Sequence, residues 1–206
     1  MSEAIDHVIV LAAGRGTRAG GPKALIQVGG RPWWQVQAVR LARTRLPITW
    51  VVSERVRAEI GTAGRLSMVT ADEAAPMFAS VIAGLSALQS QAARGDHPKP
   101  RGVFILPVDV PAPEPQTFAT LASGAADPCE GAIPCYQGKG QNGHPLYLLW
   151  SLVEEALLGR DIRPDDRLDY LTEGLLNLVG VPDPNVIANL NTPADFQRWA
   201  ALNPDG

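Results

Sequence analysis

Apolar and polar positions divide the chain into alternating strand and helix patterns. His7–Ala12 is a continuous apolar run rich in β-branched residues, which is typical of a strand buried on both faces of a parallel sheet. Apolar residues at helical spacing predict an amphipathic helix over residues 33–46 and another that begins at Met77. Further strands are predicted at Ile48–Val52, Leu66–Val69 and Gly102–Leu106.

The pattern becomes looser beyond residue 125. Short apolar runs predict strands at Ala132–Pro134 and Leu146–Leu149, with a turn at Gly138–Gly143 between them. The remaining elements predicted are helices at 150–158 and 167–176, a strand at Val186–Leu190 and a helix that begins at Pro193. The alternation as a whole predicts one domain over residues 1–206, a three-layer α/β/α sandwich around a mostly parallel, Rossmann-like sheet. Because such sheets bind ligands at the carboxyl ends of their strands, the loops after Leu11 and Leu106 are the candidate sites.

Composition narrows the classes of partner. The net charge of −3 comes without any basic block, which argues against a nucleic-acid partner. The acidic first residues and the lack of a long apolar stretch favour a cytoplasmic protein with no membrane partner. Cys129 and Cys135 match no zinc or redox spacing and are expected to be free thiols. Trp33, Trp34 and Trp50 are expected in the core rather than at a ligand.

The loop Leu11–Lys23 carries the clearest chemical signal. Its four glycines allow backbone N–H groups to approach phosphate oxygens, and Arg18 and Lys23 supply positive charge. Residues 14–19 satisfy GxGxxG/A, but Gly20-Gly21-Pro22 would break the helix that a dinucleotide-binding motif requires. A Walker A loop fails as well, since Lys23 is neither preceded by glycine nor followed by Ser or Thr. A flexible surface loop without a ligand is the remaining alternative.

The same loop fits LxxGxGxRxGxxK and resembles the signature loop of the MobA-like nucleotidyltransferases, which include the molybdenum cofactor guanylyl- and cytidylyltransferases. Four later segments resemble further motifs of that family, in family order: Phe78–Leu85, Leu106–Pro111, Gly143–Pro145 and Asn189–Asp195. The resemblance implies the fold of the nucleotide-diphospho-sugar transferases. It also implies Mg²⁺-dependent (or Mn²⁺-dependent) transfer of an NMP unit from an NTP to a phosphorylated acceptor, with release of pyrophosphate. The acceptor it implies is molybdopterin.

The resemblance and the loop positions together predict a set of site residues. Catalysis is assigned to Lys23, Arg18 and Asp109. The nucleotide is expected to contact Leu11, Ala12, Ala13, Gly14, Gly16, Lys23, Asp72, Ser80 and Gly84. The metal is expected on Asp109, Asn189 and Asn191, and the acceptor is expected at His144.

Several of these side chains also have a purely structural interpretation. Asp109 follows a buried strand, where it would suit either a metal ion or a helix N-cap. Asn189 and Asn191 stand where many relatives carry a second carboxylate. An amide oxygen brings a metal no charge, and both residues also suit a turn. His144 would either touch the acceptor or shape its own loop. Ser80 would either contact the ribose or lie on a helix surface.

The motifs disagree about the base of the nucleotide. Leu11–Gly14 and Gly143–Pro145 resemble the cytidylyltransferase branch, whereas Asn189 and Asn191 resemble the guanylyltransferase branch. Because the Ala13 methyl would crowd a purine, CTP is favoured over GTP. A sugar-phosphate or lipid-precursor nucleotidyltransferase and a nucleotide-binding regulator without turnover remain alternatives. A molybdoenzyme or its maturation chaperone is the expected protein partner.

Overall fold

The computed structural model of the chain describes residues 4–61, 66–125, 130–137, 141–158, 163 and 166–204. Seven strands within these residues form the central sheet: β1 (His7–Ala12), β4 (Ile48–Val52), β5 (Ser67–Thr70), β6 (Gly102–Pro107), β7 (Gly131–Tyr136), β8 (Leu146–Leu149) and β9 (Leu176–Val181). Two short strands, β2 (Gln27–Val28) and β3 (Arg31–Pro32), pair separately as a hairpin.

The sheet is mostly parallel, as the sequence predicts. Its strand order is β5-β4-β1-β6-β8-β7-β9, and only β8 runs against the other strands. The chain passes from β1 to β4 and β5 on one side and returns to place β6 on the other. The order therefore reverses at β1, where Leu11 is paired with Pro107 of β6. Such a switch point is where open α/β sheets bind ligands.

Helices cover both faces of the sheet: α1 (Trp33–Ala42), α2 (Glu54–Ile60), α3 (Met77–Arg94), α4 (Pro115–Gly124), α5 (Trp150–Leu152, continued by a π-helical segment over Val153–Leu158), α6 (Leu168–Leu171) and α7 (Pro193–Leu202). Val8 and Val10 of β1 face α1, α2, α4 and α7, whereas Ile9 and Leu11 face α3 and α5. This alternation along a strand buried on both faces produces the three layers.

The three tryptophans expected in the core are buried there. Trp33 is 0% exposed and meets Phe196 and Trp199 of α7 edge to face, at ring-centroid distances of 5.1 and 5.0 Å. Trp34 and Trp50 belong to the same cluster. The start of α1, which follows the loop after β1, is therefore anchored in the core. No helix in the described part of the chain is long and apolar enough to cross a bilayer.

The prediction of a helix over residues 167–176 is wrong. Helix α6 is only four residues long, and the chain turns at Gly174, whose φ is 76°. Strand β9 follows and pairs in parallel with β7, with Ile133 opposite Leu178. Val179 and Val181 lie on the more buried face and Leu178 and Gly180 on the exposed face, and the extra leucines at 175, 176 and 178 hid this alternation in the sequence.

The strand predicted at Val186–Leu190 is also wrong. The chain forms a 3₁₀ turn over Pro184–Ile187, because Pro184 lacks an N–H and the Asp183 carboxylate accepts a hydrogen bond from the Asn185 N–H at 2.9 Å. Cys135 is a buried free thiol, as expected. Cys129 and residues 138–140 of the predicted turn lie outside the described residues.

Candidate active site

The glycine-rich loop folds back on itself at the carboxyl end of β1. The Gly16 carbonyl accepts hydrogen bonds from the N–H groups of Ala19 at 2.8 Å and Gly21 at 3.1 Å. Gly16 has a φ of 60°, and a Cβ there would lie 2.0 Å from the Gly21 oxygen. Only glycine fits that position. A Cβ on Gly14, in contrast, would meet nothing within 4 Å, so the backbone at Gly14 is open to a ligand.

This loop forms one wall of a cavity of about 280 Å³. The other walls come from the end of β6, from residues 72–77 and from the start of α3. The lining brings together most of the predicted site residues: Leu11, Ala13, Gly14, Gly16, Arg18, Lys23, Asp72, Ser80 and Asp109. Ser80 is 6% exposed, which places it inside the cavity rather than on an open helix surface.

Two predicted nucleotide contacts lie elsewhere. The Ala12 side chain is buried in the core beneath α1, on the face of the sheet opposite Leu11. Gly84 packs α3 against the sheet, where a Cβ would lie 2.9 Å from Ile9 Cγ2 and 3.0 Å from Val51 Cγ2. The close approach of this helix to the sheet accounts for a glycine at residue 84.

Lys23 lines the cavity and bonds to two oxygen atoms from other parts of the chain. Its Nζ donates hydrogen bonds to Asp109 Oδ2 at 2.7 Å and to Asn191 Oδ1 at 2.9 Å. Asn191 in turn donates from Nδ2 to Asn189 Oδ1 at 2.8 Å. The Lys23 and Asp109 side chains are only 14% and 23% exposed, so this ion pair is partly shielded from water. Asp109 and Asn191 thus share one cation, and Asn189 is one step farther from it.

The segment that carries Asn191 is fixed against the Asp109 loop. The Leu190 N–H donates to the Asp109 carbonyl at 2.9 Å. Asp195 Oδ2 accepts hydrogen bonds from the backbone N–H groups of Asn191 at 3.1 Å and Thr192 at 2.8 Å. The same carboxylate completes the capping box at the start of α7. The TPxD part of the closing motif therefore holds Asn191 in place.

Helix α1 holds the Asp109 loop from the other side. Gln37 is fully buried and donates from Nε2 to the carbonyls of Val108 at 3.1 Å and Val110 at 2.7 Å. Its Oε1 accepts from the Ala112 N–H at 2.7 Å. The sequence reasoning missed Gln37. A glutamine among the apolar positions of a predicted helix was the available signal, since buried polar groups need partners.

A second, larger cavity of about 910 Å³ adjoins the first, and Leu11, Met77 and Pro107 line both. His144 lines this second cavity. Burial lowers the pKa of His144, and the Asp109 charge opposes that shift only in part. Among the described residues its buried Nδ1 has no hydrogen-bond partner. The imidazole is therefore neutral at pH 7, with one nitrogen unpaired at the edge of the cavity.

One wall of the second cavity is polar, and the sequence reasoning missed it. The segment 166–173 contributes Asp166, Arg167, Asp169, Thr172 and Glu173 to the lining, and β9 contributes Leu176 and Leu178. Arg167 pairs with Asp169 at 2.7 Å and lies over the Tyr170 ring at 4.9 Å. This wall falls in the region where the secondary structure was mispredicted, so its residues could not be placed at a site.

The residues present suit a divalent cation with an incomplete protein ligand set. Asp109 Oδ2 and Asn191 Oδ1 already converge on one cationic nitrogen, and both atoms are oxygen donors of the kind that Mg²⁺ prefers. No group of three or more His, Cys, Asp or Glu side chains among the described residues forms a closed metal site. An ion held here would take its other ligands from phosphate oxygens and water, as Mg²⁺ does in phosphoryl-transfer enzymes.

A parallel sheet with a glycine-rich anion-binding loop and an acid at its switch point defines a nucleotide-binding α/β protein. The model of the MobA-like NTP transferase domain matches residues 8–167, and the chain belongs to that family of nucleotidyltransferases. The chain is also 30% identical over 206 residues to the molybdenum cofactor guanylyltransferase of Serratia proteamaculans (strain 568), which covers 93% of this chain and 92% of the relative.

Solved structures share the fold. The molybdopterin-guanine dinucleotide biosynthesis protein A from Archaeoglobus fulgidus superposes with a TM-score of 0.66 at 19% identity, over 97% of this chain and all of that one. The Rv0371C complex with manganese from Mycobacterium tuberculosis H37Rv superposes with a TM-score of 0.63 at 19% identity, over 87% and 89% of the two chains. The three-layer architecture predicted from the sequence is confirmed.

Proposed function

We propose that this protein transfers an NMP unit from an NTP to the terminal phosphate of a molybdopterin-type acceptor and releases pyrophosphate. One observation carries the proposal. Lys23 and Asp109 line the same cavity as the glycine-rich loop, Asn191 is bonded to Lys23, and a second, larger cavity adjoins the first. The first cavity has the features of an NTP site, and the second has room for an acceptor whose phosphate would reach the first.

The chemistry asks little of the protein beyond positioning. An oxygen of the acceptor phosphate forms a bond to the α-phosphorus, and the bond from that phosphorus to the bridging oxygen of the β-phosphate breaks. The acceptor phosphate is already anionic near pH 7, so no general base is needed. Because charge grows on the leaving pyrophosphate, Arg18, Lys23 and the loop N–H groups would stabilise the transition state.

Asp109 and Asn191 would hold the Mg²⁺ or Mn²⁺ ion, with Asn189 supporting Asn191. When bound, that ion would neutralise phosphate charge and polarise the phosphorus under attack. The name of the manganese-bound structural neighbour and the paired oxygen donors of this site support a divalent cofactor. Gln37 would hold Asp109 in position through its hydrogen bonds to the backbone of the surrounding loop.

His144 would contact the acceptor. His144 has a neutral imidazole with an unpaired nitrogen at the edge of the second cavity. It would form a directional hydrogen bond with the acceptor and would add no positive charge to repel a nearby metal ion. The polar wall at 166–173 would contact the same acceptor from the side of the second cavity formed by this segment. The names of the curated relatives support molybdopterin as the acceptor class.

The donor base has two supported candidates. We favour CTP, because Ala13 lines the nucleotide cavity and is only 3% exposed, and a methyl group at this position leaves less space for a purine than glycine would. GTP is the second candidate, because the relatives that cover 93% of the chain are named guanylyltransferases. A single methyl group discriminates by about 1–3 kcal/mol, so activity with the second nucleotide should be measurable.

The test is a matrix of substrates. The four NTPs are each combined with molybdopterin, two sugar phosphates and a phosphorylated lipid precursor, and pyrophosphate release is measured with Mg²⁺. Pyrophosphate release with CTP or GTP when molybdopterin is the acceptor, and with none of the other acceptors, supports the proposal. Release only with another acceptor would move the protein to the sugar-phosphate or lipid-precursor class. NTP binding without release in any combination would identify a nucleotide-binding regulator.

A further inference from the structure

We propose that Lys23 acts as a built-in substitute for the metal ion: its ammonium group occupies the cation position between Asp109 and Asn191 and leaves it when metal and nucleotide bind together. This rests on the proposed function, because it takes the cluster to be the metal–nucleotide site. It assigns Lys23 a role in controlling when the metal binds, in addition to contact with phosphate.

The geometry supports an exchange rather than a fixed role. Lys23 Nζ is within 2.7 and 2.9 Å of the same two oxygen atoms that suit a divalent ion. An ammonium group and a metal ion cannot occupy the position between these two oxygens together, since two cations in the same space would overlap and repel each other. A metal ion that binds Asp109 Oδ2 and Asn191 Oδ1 in this position therefore displaces Lys23 from it.

The surroundings give Lys23 a place to move. It follows Pro22, whose φ of −54° is fixed by its ring, and lies at the start of a 3₁₀ turn in the lining of the nucleotide cavity. A triphosphate in that cavity would bring negative charge to the ammonium group at the moment the metal displaces it. Without nucleotide, displacement would leave Lys23 partly buried and unpaired, which is costly.

The inference makes metal binding depend on nucleotide. Free Mg²⁺ or Mn²⁺ should bind the protein alone only weakly, because binding breaks two hydrogen bonds to a charged group. The metal–nucleotide complex should bind well, because it supplies a new anionic partner for Lys23. A protein of this kind would keep its ligand oxygens ordered in the absence of substrate and avoid holding other divalent ions there.

Binding of Mn²⁺ alone tests this directly, with the free aquo-ion signal followed by electron paramagnetic resonance and no substrate present. Lys23→Met keeps the length of the side chain and removes the charge, and it should lower the apparent Kd for Mn²⁺ roughly tenfold to a hundredfold. Arg15→Met is the matched control. Arg15 is a cation of the same loop, but its ion pair is with Glu73, at 3.7 Å. The Kd of Arg15→Met for Mn²⁺ should therefore stay within about threefold of the wild-type value.

Equal Mn²⁺ affinity of wild type and folded Lys23→Met would overturn the inference. An equal gain in Arg15→Met would also overturn it, because the effect would then be general charge repulsion. The double variant Lys23→Met/Asp109→Asn should lose the gained affinity, and retention of that affinity would place the ion elsewhere.

A measurement on the wild type covers the case in which Lys23→Met does not fold. The chain has three lysines, at 23, 99 and 139, so their side-chain ammonium signals can be assigned by nuclear magnetic resonance. The Lys23 signal should stay unchanged with Mg²⁺ alone and shift when Mg²⁺ is added with a non-hydrolysable NTP analogue. A full shift with Mg²⁺ alone would contradict the inference. None of these readouts depends on turnover, so failure here and failure of pyrophosphate release are separate results.

Discussion

Replacement of Gln37 by methionine tests how the Asp109 loop is held. Methionine has nearly the same length and volume, so the core should stay filled while three hydrogen bonds are lost. The Val108 carbonyl keeps its bond from Trp33 Nε1 at 2.6 Å. The Val110 carbonyl and the Ala112 N–H, both in residues at most 3% exposed, lose their side-chain partner.

The size of the effect follows from those two groups. Each buried group left unpaired costs about 1–3 kcal/mol, so the variant should lose about 2–6 kcal/mol of unfolding free energy. For a chain of this size the loss corresponds to a fall in Tm of roughly 4–24 °C. A shift of Asp109 by about 1 Å would lower kcat/KM on the order of a hundredfold in protein that is still folded.

The assay compares thermal unfolding and kcat/KM, the latter measured well below the Tm of the variant. Gln89→Met is the matched control, because Gln89 is exposed in the middle of α3 and should change stability by no more than about 0.5 kcal/mol. If Gln37→Met unfolds and turns over like the wild type, Gln37 does not hold the loop.

Three further predictions concern single positions. Burial, and secondarily the charge of His97, lowers the pKa of His7 to about 4 from 6.5. Between pH 6.5 and 4 the imidazole is protonated in the unfolded chain and neutral in the folded chain, so the free energy of unfolding should fall by about 3 kcal/mol over this range. A His7→Gln variant whose free energy of unfolding falls equally over the same range would show that His7 is not the cause. Gly84→Ala should lower the free energy of unfolding by about 1–3 kcal/mol because the new Cβ meets Ile9, and its nucleotide affinity, measured by calorimetry, should stay near that of the wild type. Unchanged stability with lost affinity would instead make Gly84 a nucleotide contact. Ala13→Gly should narrow the CTP-to-GTP ratio of kcat/KM by a factor equivalent to about 1–3 kcal/mol, and a wild type that prefers GTP would refute the argument from the methyl group.

The sequence predicts most of the residues that meet at the first cavity, because its signals there are local. A buried strand, a loop of four glycines and an acid at the end of another strand each appear within a few residues. The parallel pairing of β1 with β6 then brings Lys23 and Asp109 together across 86 positions of the chain. The position of Asn191 beside Lys23 depends on a longer-range contact, the hydrogen bond from the Leu190 N–H to the Asp109 carbonyl.

The lining of the second cavity was not predictable in the same way. Strand β9 lies at the edge of the sheet and mixes buried with exposed positions, so its leucines also suit a helix. The polar wall at 166–173 becomes a wall only because β9 pairs with β7. Gln37 shows the same limit, because its three partners lie 71 to 75 residues away. Pattern alone does not reveal contacts of that range.

The direct test of the central claim is Mg²⁺-dependent pyrophosphate release by wild type and by Asp109→Asn, with CTP or GTP and molybdopterin. Wild type should release one pyrophosphate for each nucleotide-linked cofactor formed, with a rate that rises and saturates as Mg²⁺ is added. Asp109→Asn keeps the shape of the side chain and removes the charge, and it should show almost no Mg²⁺-dependent release. Arg57→Met, on the exposed side of α2, is the control for an unrelated charge change. An unchanged Mg²⁺ response in Asp109→Asn would contradict the account.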